Sequence, residues 1–291
     1  MTVAELLAEA TRALRAAGVE SSDWNAERLL RHVLGWDRAA VVASPAASVA
    51  RDAERRFLDL VRERARRVPL QHLVGSQAFW KHEFVVTPDV LVPRPETELL
   101  VEESLVLLHG TVAPVIVDVG TGSGCIALSL AAEIPGAVVH ATDVSATALA
   151  IARGNAERLG LAERIALHHG DLLKPVATLH GHVDLVVSNP PYVDRRERET
   201  LAPEVRDHEP ELALFPPGEA DSIYRRLVPA AYEWLRPGGF LVVEIPPALA
   251  EAVSGLLAEA GFCEARVASD LAGRPRMARG RKPLRTPAGL G

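Results

Sequence analysis

The sequence predicts an α/β fold: a mostly parallel, doubly wound sheet preceded by a small N-terminal helical bundle, with a β-hairpin linker between them. Three observations carry this. Apolar residues recur at helical spacing through about the first 70 residues. From Val115 onward, short apolar runs alternate with helical stretches, the rhythm of a parallel sheet covered by helices. Between these regions Phe84-Val85-Val86 and Val90-Leu91-Val92 flank Thr87-Pro88-Asp89, a turn signal. The expected divisions are 1–75 for the bundle, 76–95 for the hairpin linker and 96–291 for the sheet domain.

In the bundle, Val3, Leu6, Leu7, Ala10 and Leu14 form one helical stripe that Gly18 ends. Asp23 is the expected cap of a second helix carrying Ala26, Leu29, Leu30 and Val33, stopped by Gly35. A third helix, Val49 to Val68, holds Arg62-Glu63-Arg64-Ala65-Arg66-Arg67, read either as a solvated face or as a basic contact for a partner containing nucleic acid. Pro93-Arg94-Pro95 leads into a helix that Glu96-Thr97-Glu98 opens and that runs to Leu108. Strands follow at Val115–Val119, Val138–Thr142, Ile165–His169, Val183–Ser188, Phe240–Ile245 and Cys263–Ala268, with a more polar last strand at Arg276–Arg279. The fourth is apolar nearly throughout, as a strand buried on both faces requires. Helices are expected at Gly124–Glu133, Ala146–Leu159, Ser222–Leu235 and Ala248–Ala260, with Pro237-Gly238-Gly239 ending the third. The Arg-rich stretch from Arg274 to Gly291 is expected to fray at its end.

Composition narrows the function. The chain is 48% apolar and 24% charged, an ordinary globular balance. No uncharged run approaches the roughly 20 residues a membrane helix needs; Val119 to Ala132 has only 14. Met1-Thr2-Val3-Ala4-Glu5 places an acid where a secretory signal carries basic residues, so a cytoplasmic location is expected. Cys125 and Cys263 are too few for a disulfide framework or a Cys-based zinc site. His168 and His169 alternate faces along one strand, so no metal pair is expected there. The net charge of −6 argues against a chain that grips long nucleic acid by its phosphates. Direct sequence-specific binding of nucleic acid is not expected.

Asp118-Val119-Gly120-Thr121-Gly122-Ser123-Gly124 lies between the first sheet strand and its helix. Glycines there let the backbone approach a ligand, and the helix start supplies unpaired N–H groups. The run lacks the Gly-Lys-Ser/Thr ending of a phosphate loop and the Gly-x-Gly-x-x-Gly spacing of a dinucleotide site, which disfavours a dehydrogenase. It suits S-adenosylmethionine, which carries no phosphate. Asp143, at the end of the next strand, is placed to accept hydrogen bonds from both ribose hydroxyls, although Thr142-Asp143-Val144-Ser145 also reads as a helix cap with Ser145 as the cap residue. Asp171 lies at the same sheet edge and is expected to accept from an adenine amino group while Leu172 packs on the ring, the alternative being a loop cap. Cys125 opens the helix after the glycines, where its thiol is either acidified or simply buried.

Ser188-Asn189-Pro190-Pro191-Tyr192 follows the fourth strand. Pro190 and Pro191 have no N–H, so this stiff loop presents carbonyl acceptors, joined by the Asn189 side-chain oxygen. Two such acceptors match a planar –NH2 group, on which Tyr192 can stack. Holding both hydrogens fixes the nitrogen and draws its lone pair out of conjugation toward a sulfonium methyl. The catalytic candidates are therefore Asn189, Pro190 and Tyr192.

Gly120–Gly124, Asp143 and Asn189-Pro190-Pro191-Tyr192 resemble the class I methyltransferases of planar amino or amide nitrogens. Phe79-Trp80, Val92-Pro93-Arg94-Pro95-Glu96-Thr97-Glu98, Glu209-Pro210 with Leu212-Ala213-Leu214-Phe215, and Asp270-Leu271-Ala272-Gly273-Arg274 resemble one branch, the release-factor glutamine methyltransferases of the HemK type. The resemblance covers nearly the whole chain. It implies a Rossmann-like, seven-stranded methyltransferase sheet and transfer of a methyl group from S-adenosylmethionine to the glutamine of the Gly-Gly-Gln loop in class 1 peptide chain release factors. It assigns the cofactor to Gly120, Thr121, Gly122, Ser123, Gly124, Asp143, Leu172 and Asn189, and the substrate amide to Asn189, Pro190, Pro191 and Tyr192. No metal is expected, and the helical domain is expected to add surface for gripping a protein substrate. Pro246-Pro247 after Glu244-Ile245, where the family usually has glycine, and Pro216-Pro217 depart from its pattern. An adenine amino methyltransferase would use the same Asn-Pro-Pro-Tyr motif, and a non-catalytic nucleoside-binding module would keep the glycines. The net charge weighs against the first, and the intact Asn189 loop against the second.

Overall fold

The computed structural model describes residues 1–270 and 272–284. Leu271 and the end of the Arg-rich tail, 285–291, lie outside the described residues. Contacts divide the chain into two units: Met1–Ser76 together with Thr200–His208, and Gln77–Glu199 together with Glu209 onward.

The first unit holds α1 (Val3–Ala16), α2 (Ser22–Leu34), α3 (Arg38–Ala43), α4 (Arg51–Ala65) and α5 (Leu70–Val74). Thr2 and Glu5 start α1 with a capping box, each side chain accepting the other's backbone N–H, at 3.3 and 2.8 Å. The predicted stripe is the buried one: Leu6, Ala10 and Leu14 pack with Leu29 and Leu30 of α2 and Phe57 of α4. Asp23 is not the cap of α2. Ser21 holds that position in a left-handed conformation, and Asp23 lies in the first turn. The short α3 and α5 were not legible from periodicity, which needs more turns than they have.

The basic run on α4 is neither a free basic patch nor a wholly solvated face. Arg64, 6% exposed, donates to Asn25 Oδ1 at 2.8 Å and to Glu204 Oε1 at 2.8 Å. Arg67 forks onto the same carboxylate at 2.7 Å through both Nε and Nη2. Arg62 and Arg66 pair with Asp59 and Glu63 one turn back. Glu204 comes from the distant helix Pro203–His208. Burial pushes its carboxyl up, but the hydrogen bonds from Arg67 and Arg64 outweigh that and hold it at about 2.

The hairpin is formed by β1 (Ser76–Phe79) and β2 (His82–Val85), turning at Trp80, whose φ is 54°. The expected pairing of Phe84–Val86 with Val90–Val92 does not occur. Asn155 explains this: its Oδ1 accepts from Val85 N at 2.8 Å and its Nδ2 donates to Val85 O at 3.0 Å, so the chain leaves the ladder there. Val86 and Val90 then pack on Ala148 and Ile151.

The rest of the second unit is α6 (Glu98–Leu107), β3 (Val115–Val119), α7 (Cys125–Glu133), β4 (Val138–Asp143), α8 (Ala146–Arg158), β5 (Ile165–His169), β6 (Val183–Ser188), α10 (Glu211–Leu214), α11 (Ser222–Trp234), β7 (Leu235–Glu244), α12 (Ala250–Glu259), β8 (Cys263–Ser269) and β9 (Pro275–Arg281). The helix Pro203–His208 of the first unit is α9. Seven strands form one sheet in the order β5-β4-β3-β6-β7-β9-β8. β9 runs antiparallel to β7 and β8, and the remaining pairings are parallel. Side chains alternate between two layers: Ile116, Leu185 and Val242 enter one core, and Val117, Val186 and Val243 the other. β6 is buried at every residue, as its apolar run predicted.

β7 begins at Leu235, so Pro237-Gly238-Gly239 lies inside the strand instead of ending the helix. Gly239 presses on β6: a Cβ there would meet the Val183 carbonyl at 2.9 Å. The arginines of β9 are matched within the sheet domain, Arg279 to Glu103 at 2.8 Å and Arg276 to Asp270 at 3.2 Å, which is how a polar strand sits between two others. Among the described residues, no helix is long and apolar enough to cross a membrane.

Candidate active site

Strand register assembles the site. Val119 lies beside Thr142 of β4 on one side and Ser188 of β6 on the other. Asp143 lies beside His169 of β5, and Ser188 beside Val243 of β7. The residues that follow, Gly120, Asp143, Gly170-Asp171, Asn189 and Glu244, therefore come off one edge of the sheet. The strand order reverses between β3 and β6, where a ligand crevice opens beyond the carboxyl ends of parallel strands. A cavity of about 480 Å³ occupies this edge. Its wall includes Gly120, Thr121, Gly122, Ser123, Asp143, Asp171, Leu172, Asn189, Pro190 and Pro191. Gly124 and Tyr192 do not border it: Gly124 packs on α7 and α8, and the Tyr192 ring, expected to stack on the amide, packs on the second core.

The glycine loop needs its glycines. Gly120, Gly122 and Gly124 have φ of 73°, 56° and 84°, a region that side chains with a Cβ rarely enter. A Cβ on Gly120 or Gly122 would meet no atom within 4 Å, so their backbone is open to a ligand. On Gly124 it would meet Leu128 at 3.0 Å and Ala152 at 3.2 Å, so that glycine serves helix packing. Asp118 braces the loop from below. Its Oδ2 accepts from Thr121 Oγ1 at 2.7 Å and Ala127 N at 3.2 Å, while complete burial pushes its carboxyl up to about 7. Asn155 Nδ2 adds a bond to Ser123 O at 2.9 Å.

Asp143 lines the cavity and bonds two backbone N–H groups. Oδ2 accepts from Gly122 N at 2.9 Å and Oδ1 from Ser145 N at 2.8 Å, while Ser145 itself caps α8. Two backbone bonds leave lone pairs on both oxygens for a pair of hydroxyls. Burial raises its pKa against those bonds. Asp171 is more engaged than its sequence context indicated: Lys174 Nζ, at 2.9 Å, and the Arg226 guanidinium both take Oδ2. Leu172 adopts φ of 51° beside it. Cys125 is the buried filler of the two readings, since burial pushes its thiol up to about 12. His168 faces His140 on β4 at 3.0 Å instead of His169. Among the described residues, no group of three or more His, Cys, Asp or Glu side chains is arranged to hold a metal.

On the other half of the site, Ser188 Oγ donates to Val119 O at 2.7 Å and ties the two loops together. Asn189 Nδ2 donates to Thr97 Oγ1 at 3.1 Å, and Thr97 Oγ1 donates to Glu244 Oε2 at 2.6 Å. Tyr192 packs into the second core, and its hydroxyl donates to Glu244 Oε1 at 3.2 Å. Burial drives the Glu244 carboxyl upward, opposed by these two bonds. Arg94 Nη2 reaches both Glu209 oxygens, at 2.7 and 2.6 Å, and borders the cavity. Thr97, Glu244 and Asn155 were missed as site residues. Thr97 stands in a segment that carries the family resemblance and Glu244 just before the departure at Pro246-Pro247, but no spacing connects positions 147 residues apart.

Comparison with known proteins places the chain in a family. Residues 5–75 match the PrmC N-terminal domain family and residues 96–206 the Methyltransferase small domain family. The release factor glutamine methyltransferase of Cereibacter sphaeroides is 42% identical over 97% of this chain and 99% of its own length. Those of Deinococcus radiodurans and Streptomyces coelicolor are 43% and 42% identical over 97% and 96% of this chain and 99% and 97% of their own. The chain belongs to the release factor glutamine methyltransferase family.

Among solved structures, a methyltransferase from Pyrococcus furiosus matches with TM-score 0.50 at 20% identity, covering 71% of this chain and 92% of its own. The hMettl16 catalytic domain, in complex with a 3′UTR hairpin, matches with TM-score 0.56 at 15% identity, covering 83% and 84%. At these identities the two structures share the fold with this family member. The seven-stranded, Rossmann-like methyltransferase sheet that the sequence resemblance implied is the one observed.

Proposed function

We propose that this chain transfers a methyl group from S-adenosylmethionine to the side-chain amide nitrogen of the glutamine in the Gly-Gly-Gln loop of class 1 peptide chain release factors, in the cytoplasm. One observation carries the reading: the open glycine loop and the Asn189 loop leave adjacent, in-register strands and line one cavity. S-adenosylmethionine, when bound, supplies an electrophilic methyl carbon. The open backbone of Gly120 and Gly122, with Thr121 and Ser123, would hold its amino-acid end. Asp143 would take the ribose hydroxyls with its remaining lone pairs. Leu172 would cover the adenine, and Asp171 Oδ1 would accept from its amino group.

Asn189 Oδ1 and the Pro190 carbonyl would each accept one N–H of the glutamine amide, between Pro191 and the glycine loop. Tyr192 would hold the loop's shape through Glu244. An amide nitrogen is a weak nucleophile, so the chain acts by placement, which can supply about 7–11 kcal/mol. As the nitrogen bonds to the methyl carbon, the methyl–sulfur bond would break and S-adenosylhomocysteine would leave as a neutral thioether. The nitrogen then carries the positive charge, and its two N–H groups become stronger donors. The two acceptors therefore bind the transition state more tightly than the ground state. The nitrogen is then acidic enough to lose one proton to water, leaving a neutral N-methyl amide. The helical unit of residues 1–75 would contribute surface for the protein substrate.

The test is a digest of class 1 release factor, incubated with the protein and labelled S-adenosylmethionine and read by mass spectrometry. One added methyl on that glutamine is expected, with no label in parallel DNA and RNA samples. Label in nucleic acid and none in release factor would overturn the reading.

A further inference from the structure

The hydrogen bonds behind Asn189 form a chain whose direction is set at one end. Glu244 is 2% exposed, and as a carboxylate it can only accept. Thr97 has one hydroxyl proton and gives it to Glu244 Oε2 at 2.6 Å. With that proton committed, the Thr97 oxygen can only accept from Asn189, and Nδ2 donates to it at 3.1 Å. The Asn189 carboxamide then has one orientation, nitrogen toward Thr97. Its Oδ1 makes no hydrogen bond among the described residues, on a side chain that lines the cavity. Tyr192 Oη, donating to Oε1, holds the carboxylate from the other side, and Tyr224 Oη donates to the Glu244 backbone carbonyl at 2.7 Å.

We propose that Thr97 and Glu244 are positioning residues for methyl transfer: the acceptor-only carboxylate of Glu244, acting through the Thr97 hydroxyl, keeps the Asn189 carboxamide turned so that it offers an oxygen to the incoming amide. The two ends of a carboxamide have nearly the same size, so packing alone discriminates poorly between the two orientations. Reversed, Asn189 would present N–H to N–H and repel the group it must hold. The inference rests on the reading of Asn189 as an acceptor for the substrate amide.

The isosteric variant Glu244→Gln tests it. Its amide nitrogen can donate to Thr97, which frees the Thr97 proton to point at Asn189 Oδ1 and removes the constraint on direction. Expected is a fall in kcat on the order of tenfold to a hundredfold, with S-adenosylmethionine affinity and melting temperature close to wild type. Thr97→Val, which keeps the shape and loses the hydroxyl, should fall similarly, and Thr97→Ser should recover most of the rate. Combined with Asn189→Ala, Glu244→Gln should cost nothing further, because both act through one carboxamide.

Should Glu244→Gln fail to fold, the Thr97 pair carries the same test. Near-normal kcat in Thr97→Val or folded Glu244→Gln, while Asn189→Ala is crippled, overturns the proposal and leaves the acceptor reading standing. So does an additive loss in the double variant. Normal turnover by Asn189→Ala removes the acceptor reading and the proposal with it.

Discussion

Asn155 Nδ2 donates to the Ser123 carbonyl at 2.9 Å, so one buried carboxamide on α8 holds the glycine loop while also closing the backbone groups of Val85. Its three side-chain hydrogen bonds all serve chain segments that are distant in sequence. Asn155 is 1% exposed, so Asn155→Leu would bury the Val85 and Ser123 groups without partners. We expect a loss of about 2–4 kcal/mol, read from the denaturant midpoint, together with weaker S-adenosylmethionine binding. Unchanged stability with normal binding would mean that these bonds are replaced by solvent.

Asp143 organises the loop and offers its spare lone pairs to the cavity. Asp143→Ala removes both functions, and S-adenosylmethionine Kd should rise on the order of a hundredfold, the equivalent of about 3 kcal/mol. Isothermal titration calorimetry checks this. An affinity within a few-fold of wild type would show that the ribose is held elsewhere.

Asn189→Ala separates binding from chemistry. The acceptor matters most when positive charge develops, so kcat should fall on the order of a hundredfold while S-adenosylmethionine Kd changes little. Single-turnover assays with release factor distinguish the two. A mutant that binds the cofactor poorly but turns over normally once saturated would invert the assignment.

Glu204 makes the helical unit sensitive to acid. Its carboxyl is held at about 2, below the ordinary 4.5, by Arg67 and Arg64, despite the opposing effect of burial. A depressed folded value stabilises fully above the unfolded pKa and is lost as pH falls through the folded one. Stability should therefore decline between roughly pH 4.5 and pH 2. Glu204→Gln should flatten that part of the profile and cost on the order of 2 kcal/mol at neutral pH, because Arg64 stays buried. Thermal melts of both proteins across this range measure it. An identical acid slope in the variant would place the sensitivity at other carboxylates.

Much of the architecture was readable from neighbours in the chain. Val115–Val119, Ile165–His169 and Val183–Ser188 announced themselves as strands by short apolar runs, and Gly120 to Gly124 and Asn189 to Tyr192 as loops, because backbone preference and apolar period act over a few residues. The same local signal misjudged Val90–Val92, whose β-type residues belong to a segment that Asn155 diverts onto α8. It also left Arg64 of α4 and Arg67 just beyond it unassigned, since their partner Glu204 lies 140 and 137 residues away.

The sequence by itself therefore determined most strands of the sheet and the longer helices, and which residue types the two candidate loops carry. Only the tertiary structure decided their partners: Val119 beside Ser188, Asn189 against Thr97, and Thr97 against Glu244. Those pairings depend on strand order and register. Both are settled when the two apolar faces of the whole sheet are buried, and spacing along the chain carries no trace of them.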